Sequence, residues 1–290
     1  MDFPIIDSHV HIWDTSQLDY PWLATQPALN RPFLLKDFDA ARGPIEVEQF
    51  VFVQAECRPE QALDEVAWVS MLAKEDPRIG GIVAYAPLET GEAVRDQLER
   101  LAAFPLVRGI RRIVFEEDDV AFCTSQPFIA GVRALAEFGL SFDLALSSSQ
   151  LVAAAELADA CPDVRFVLDH IGKPDVKNRE RAPWMLGLPA LAECPNVWCK
   201  LSGVTTQADH DLWTPDELRP YLNFAVENFG INRVMFGGDW PVSTLAVSYP
   251  IWVGVLHYVL EEYSNDELRA VFHDNTAEFY RLRPPSPATA

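Results

Sequence analysis

Short apolar runs rich in Val, Ile and Phe alternate with longer stretches of helical period along the 290-residue chain. Eight such runs stand out, at 3–9, 50–56, 80–86, 107–114, 140–145, 164–170, 196–202 and 233–239. Between them the spacing predicts helices over 60–75, 90–103, 127–138, 149–160, 184–193, 215–229 and 248–262, with an additional one over 265–281. Thr214-Pro215 followed by Asp216 and Glu217 reads as an N-cap, a proline in the first turn and acids favoured by the helix dipole. Strands alternating with helices call for a parallel sheet covered by helices on its outer side. No Gly-rich phosphate loop follows any predicted strand, so a closed (β/α)8 barrel is preferred to an open doubly wound sheet. Residues 12–49 hold four prolines and one short helical piece near 36–42, which predicts a long first loop covering the barrel mouth. No repeat or linker divides the chain, so 1–290 is expected to form one domain with a frayed tail at 283–290.

Side chains two apart on a strand share a face. That rule groups Phe3, Ile5, Asp7, His9 and His11 in the first strand, and Phe50, Phe52, Gln54 and Glu56 in the second. In the eighth it groups Met235, Gly237 and Asp239. Each set turns polar at its C-terminal end, where an α/β barrel carries its chemistry. His9 and His11, two apart in extended backbone, can converge on one cation. His170 and Asp239 end the sixth and eighth strands at the same rim. Three imidazoles and one carboxylate suit zinc or a similar divalent ion.

Composition narrows the partners. The balance of 23 Lys+Arg against 43 Asp+Glu gives a formal charge of −20, which repels phosphate backbones and anionic lipid headgroups, so neither nucleic acid nor a membrane surface is expected. Hydrophobic residues at 49% allow a sizeable core, yet no apolar run approaches the length of a membrane span. Five cysteines, none in a CxxC pair, predict reduced thiols and a cytoplasmic setting, as does an N-terminus without a basic segment ahead of an apolar run. A homo-oligomer is compatible with all of this.

The segments IIDSHVHIWD, VLDHIGKP, CKLSG and MFGGDWP, in this order, resemble the strand-end motifs of the amidohydrolase superfamily, and more narrowly its lactonase branch. That branch includes fucono- and rhamnonolactonases and pyrone-dicarboxylate lactonase. The resemblance runs from about residue 4 to residue 281. It implies hydrolysis of a small lactone, favouring a sugar-acid lactone, with His9, His11, His170 and Asp239 around the reaction centre. Asp239 is then the base that activates water, with His170 beside it in catalysis. The fourth strand, RGIRRIV, offers no lysine where binuclear relatives bridge two metals, and LSFDLAL lacks their fifth-strand histidine. At most one divalent metal, zinc by its donors, is expected, or none.

Candidates for holding the substrate are Gln54, Glu56, Arg111 or Arg112, Lys173, Lys200 and Trp240. Adjacent residues face opposite ways, so one of Arg111 and Arg112 should line the mouth and the other pair with the helical layer. Trp13, Tyr20 and Trp22 in the first loop could stack on a sugar ring. Asp7 is expected to be structural, and Asp169 to point away from the mouth beneath the helices. The alternatives are a metal-dependent decarboxylase of a small aromatic or unsaturated acid in the same superfamily, and a non-catalytic sugar-acid binding protein.

Overall fold

The computed structural model describes residues 3–284; the end of the expected frayed tail, from 285 on, lies outside the described residues. Eight strands pair in parallel in sequence order: β1 (Ile5–Val10), β2 (Val47–Val53), β3 (Ile79–Ala84), β4 (Val107–Ile113), β5 (Ser141–Ala145), β6 (Phe166–Leu168), β7 (Val197–Leu201) and β8 (Val234–Phe236). The seam between last and first strand is drawn together by backbone bonds just beyond β8. The Asp239 N–H donates to the His9 carbonyl at 2.8 Å, and the His11 N–H donates to the Trp240 carbonyl at 2.7 Å. The architecture is the (β/α)8 barrel that the alternating pattern predicts.

Helices α1 (Leu35–Arg42), α2 (Ala62–Glu75), α3 (Arg95–Ala102), α4 (Gln126–Glu137), α5 (Leu151–Ala160), α6 (Ala182–Glu193), α7 (Pro215–Phe229) and α8 (Tyr249–Val259) follow the strands. The predicted 265–281 helix is divided: α9 (Asn265–Arg269) and α10 (Asn275–Tyr280) flank a wider π turn over Ala270–Asp274. Helix α7 starts as its sequence requires, with the Thr214 hydroxyl accepting from the Glu217 N–H.

The faces expected from alternation are corrected in two strands. In β2 the inward residues are Val51 and Val53, which join Val83, Val167 and Met235 from other strands and Phe279 and Tyr280 of α10 in one cluster. Residues from four strands can share a cluster only across the barrel interior. Phe50 instead packs on Phe38 of α1, so the Phe50–Phe52 face looks toward the helices. In β1 the pairing slips between Asp7 and Val10, and this bulge separates Asp7 from the face of His9. The buried Asp7 carboxylate turns to the helical side and accepts from Tyr249 of α8 at 2.8 Å, from the Gly238 N–H at 2.8 Å and from the His9 N–H at 2.9 Å. It therefore braces the seam from behind.

Glu65 of α2 braces the far rim. Its carboxylate accepts from the Ala55 N–H, while the Ala55 carbonyl accepts from the Trp22 indole at 2.8 Å. Burial pushes the Glu65 carboxyl up to about 8. An acid raised in this way stabilises the fold while protonated, and that contribution is lost as pH rises from the unfolded value toward about 8. Glu65→Gln is therefore expected to flatten the fall of stability across this window and to be the more stable protein above it. Urea unfolding at a series of pH values checks this, and parallel profiles for the two proteins would contradict it.

Candidate active site

The polar end of the barrel is built by residues that follow the strands. His9 lies inside β1, whereas His11, Gln54, Glu56, His170 and Asp239 all stand one to three residues past a strand end. Glu56, His170 and Asp239 each hold a left-handed backbone, with φ of 57°, 54° and 51°. Such conformations are uncommon for non-glycine residues and concentrate where the surrounding structure over-determines them.

Four side chains converge. The Nε2 atoms of His9 and His11 are 3.1 Å apart, and each lies 3.7 Å from Asp239 Oδ1. The His170 ring centroid is 4.7 Å from that of His9. His11 Nδ1 meets the Val53 carbonyl at 2.7 Å; a carbonyl only accepts, so Nδ1 carries a proton and Nε2 is the nitrogen that faces the group. His170 Nδ1 is held by the Ser202 hydroxyl at 2.8 Å.

Burial pushes the His9 imidazole well below its usual range, and the Lys200 ammonium adds to this. His170 falls to about 4, again through burial, although Asp239 and Asp169 oppose it. Burial acts against ionisation of Asp239, but His170 and the other histidines around it outweigh this and hold the carboxyl well below the carboxylate range. At neutral pH the site thus holds an ionised Asp239 beside the uncharged rings of His9 and His170. Ligand atoms of His9, His170 and Asp239 all lie within 4.8 Å of one another. Two imidazole nitrogens and a carboxylate oxygen gathered in this way are a donor set whose chemistry suits a single divalent ion of the zinc type.

Beneath the histidines lies a buried charge cluster. Lys200 Nζ on β7 is 2.6 Å from Asp143 Oδ2 of β5 and 2.9 Å from Asp169 Oδ1. The Tyr280 hydroxyl of α10 donates to the same Asp143 oxygen at 2.7 Å. Here the structure corrects two expectations. Lys200 is fully buried and is used up by its carboxylates, so it supports the floor of the site and does not reach the mouth. Asp169 does not point under the helices; it faces the interior, 3.4 Å from His9 Nδ1 and 3.5 Å from Arg111 Nη1. The reason is local: β6 ends at Leu168, and the tight turn of residues 169–172, with positive φ at His170 and Ile171, cancels the alternation that neighbouring residues would obey in a strand. Lys200 and His9 hold the Asp169 carboxyl well below its usual range against the effect of burial.

A cavity of about 630 Å³ opens above this floor. His11, Arg111, His170, Lys173, Glu56 and Asp239 are among its lining residues. Arg111 bonds the Gln54 carbonyl through Nη2 at 2.6 Å. Arg112 points the other way, into carboxylates of Glu89 and Glu117. Gln54 is buried and reaches the site indirectly, through that carbonyl and through its amide, which donates to Glu56. Trp240 is a correction: it is 1% exposed and packs against Phe33 and Phe38, so it is core and not a wall of the cavity. Of the loop aromatics, Trp22 lines the cavity while Trp13 is buried behind it.

Sequence reasoning missed Phe115, Glu116, Thr206 and Gln207, all in the wall. Their signal was positional, since they follow the fourth and seventh strands. Asp143 was also visible as an acid inside an apolar strand, but nothing local marks Tyr280 as its partner.

The fold and this rim define a (β/α)8 barrel with a histidine and aspartate centre at the C-terminal ends of its strands. Comparison with known proteins gives the family: the Amidohydrolase family model matches residues 6–282, and the chain belongs to that family. It is similar to two proteins named L-fucono-1,5-lactonase. The one from Burkholderia ambifaria is 30% identical over 288 residues, covering 97% of each chain. The one from Burkholderia multivorans is 32% identical over 299 residues, covering 98% of each. The crystal structure of an amidohydrolase from Burkholderia multivorans with bound zinc is 30% identical, with a TM-score of 0.87 over 97% of this chain and 100% of that one. No helix among the described residues is long and apolar enough to cross a membrane.

Gly203 makes room for the His170 ring. A Cβ there would lie 2.5 Å from His170 Nδ1, and φ is +59°. Gly203→Ala is expected to cost at least ~1 kcal/mol from the left-handed backbone alone and to displace His170. Thermal unfolding and turnover together check this; wild-type values for both would contradict the placement.

Proposed function

We propose that the protein hydrolyses a sugar-acid lactone, using Asp239 to activate water. The family and its lactonase-named relatives make the chain a hydrolase acting on cyclic esters. The observation that carries the finer reading is an ionised Asp239 beside the uncharged His9 and His170 rings at the foot of a cavity about 630 Å³ in volume, inside the size range of small-molecule sites.

The wall favours a neutral, hydroxylated substrate over a dicarboxylate. Three cations line the cavity, but Arg58 is engaged by Asp19 and Arg111 by Gln54 and Asp169. Glu56 and Glu116 line it as well and would repel a second anionic group. Thr206 and Gln207 offer partners for hydroxyls, and the Trp22 ring offers a flat apolar face.

One divalent ion, zinc by the donor set, would be held by His9, His11, His170 and Asp239. When bound it would supply Lewis acidity toward the lactone carbonyl and lower the pKa of a nearby water. Asp239, ionised at neutral pH, accepts the proton of the attacking water. His170, steadied by Ser202, faces the same space as a hydrogen-bonding group for the substrate. Arg111 is locked by three partners, the Gln54 carbonyl, the Asp169 carboxylate and His9 Nε2.

A panel of aldono-1,5-lactones followed by acid release tests this reading. Turnover of at least one is expected, and Asp239→Asn should lower kcat by roughly 10²–10⁴-fold with the fold retained. Carbon dioxide release from a dihydroxybenzoate with no lactone turned over would replace the reading with a decarboxylase.

A further inference from the structure

Three successive carbonyls at the end of β2 each hold a side chain of the cavity wall. Val53 accepts from His11 Nδ1 at 2.7 Å, Gln54 from Arg111 Nη2 at 2.6 Å and Ala55 from the Trp22 indole at 2.8 Å. The N–H groups are taken as well: Gln54 donates to the Val83 carbonyl at 2.8 Å, and Ala55 to the Glu65 carboxylate at 3.1 Å. Backbone held from so many directions can sustain an unfavourable conformation at the next residue. That residue is Glu56, with φ of 57°.

Its side chain is fixed too. The Glu56 N–H donates to Gln54 Oε1 at 2.7 Å, and the Glu56 carboxylate accepts in return from the Gln54 amide. Gln54 is buried, so this clasp is shielded from water. The Gln54 carbonyl leads on to Arg111, whose Nη1 lies 3.4 Å from His9 Nε2, so consecutive contacts tie the acid to the histidine centre. Yet the carboxylate has no cation. Among the described residues it forms no ion pair, although Arg58 and Arg111 line the same cavity, because Asp19 holds the first and Asp169 the second. A carboxylate offers about four acceptor positions, and Gln54 occupies one of them. An acid that served the fold alone would need neither the left-handed backbone nor the open position in the wall.

We propose that Glu56 is the residue that selects a hydroxylated lactone ring, its carboxylate accepting hydrogen bonds from the ring hydroxyls while Gln54 sets its direction. The inference rests on the lactone-hydrolase reading above and deepens it. A group that only accepts discriminates by what a ligand can donate. Ring hydroxyls satisfy it, and a hydrogen bond to a charged group is among the stronger ones. An unsubstituted ring displaces its water and returns no donor, which leaves a desolvated carboxylate unpaired. A carboxylate substituent adds repulsion to that loss. One side chain thus disfavours both the bare and the anionic lactone.

The test compares wild type, Glu56→Gln and Glu56→Ala on the panel of aldono-1,5-lactones, L-fucono-1,5-lactone among them, and on δ-valerolactone, the ring of the same size without hydroxyls. The readout is the ratio of kcat/KM between the sugar lactone that the wild type turns over best and δ-valerolactone; where the latter is not turned over, its inhibition constant against the sugar lactone takes the place of its kcat/KM. Glu56→Gln keeps the size of the side chain and an acceptor for the Gln54 amide, and the ratio is expected to fall roughly 10–100-fold. Glu56→Ala is expected to narrow the ratio in the same direction. A ratio equal to that of the wild type in both variants overturns the proposal, whether both activities fall together or neither does, since a structural or general electrostatic role acts on the two substrates alike. A wild type inactive on every aldonolactone removes the parent reading and the inference with it, whereas an active wild type whose preference survives both substitutions removes the inference alone.

Discussion

Closure of the barrel between its last and first strands is the constraint on which the site depends. Two backbone bonds, Asp239 N–H to the His9 carbonyl and His11 N–H to the Trp240 carbonyl, make the seam. They fix the separation between the candidate base and two of the histidines, because all three residues belong to the same ladder. Asp7 secures the seam from the helical side by binding the backbone of both partners, His9 and Gly238, and the hydroxyl of Tyr249. The architecture and the chemistry therefore share their hydrogen bonds. A barrel that failed to close would also lack a site.

Below the seam the barrel holds charge where most such barrels hold hydrocarbon. Lys200, Asp143 and Asp169 form a buried ionic cluster that Tyr280 caps from α10. Burying three charges is costly unless each is paired and hydrogen-bonded. The pairing here is between different strands, so the cluster fixes β5, β6 and β7 relative to one another directly beneath His9. Burial, together with the Lys200 ammonium, keeps His9 neutral, which is the form that can bind a cation or accept a proton.

The barrel and its polar rim were legible in the sequence because they rest on periodicity: eight apolar runs, each turning polar at its end. His9, His11, His170 and Asp239 could be placed at one rim for that reason. The rest depended on departures from periodicity. A bulge in β1 sends Asp7 and His9 to different sides, and the left-handed turn after β6 brings Asp169 inward beside His170. Trp240 sits next to Asp239 in sequence yet packs into the core. Lys200 obeys the alternation, but its depth in the barrel is set by carboxylates distant in sequence. Alternation tells which face a residue takes; it does not tell how far along the barrel axis a long side chain reaches, or which partner consumes its charge.

The central claim is that the product forms at the seam, between Asp239 and the histidines. A crystal structure with the hydroxy-acid product of an aldono-1,5-lactone tests this most directly. The new carboxylate is expected within about 3.5 Å of Asp239 Oδ1 or of the Nε2 atoms of His9 and His11, as a hydrogen-bonded or ion-bridged contact requires. A product bound elsewhere in the cavity, with Asp239 and the histidines left in contact only with one another, would contradict it.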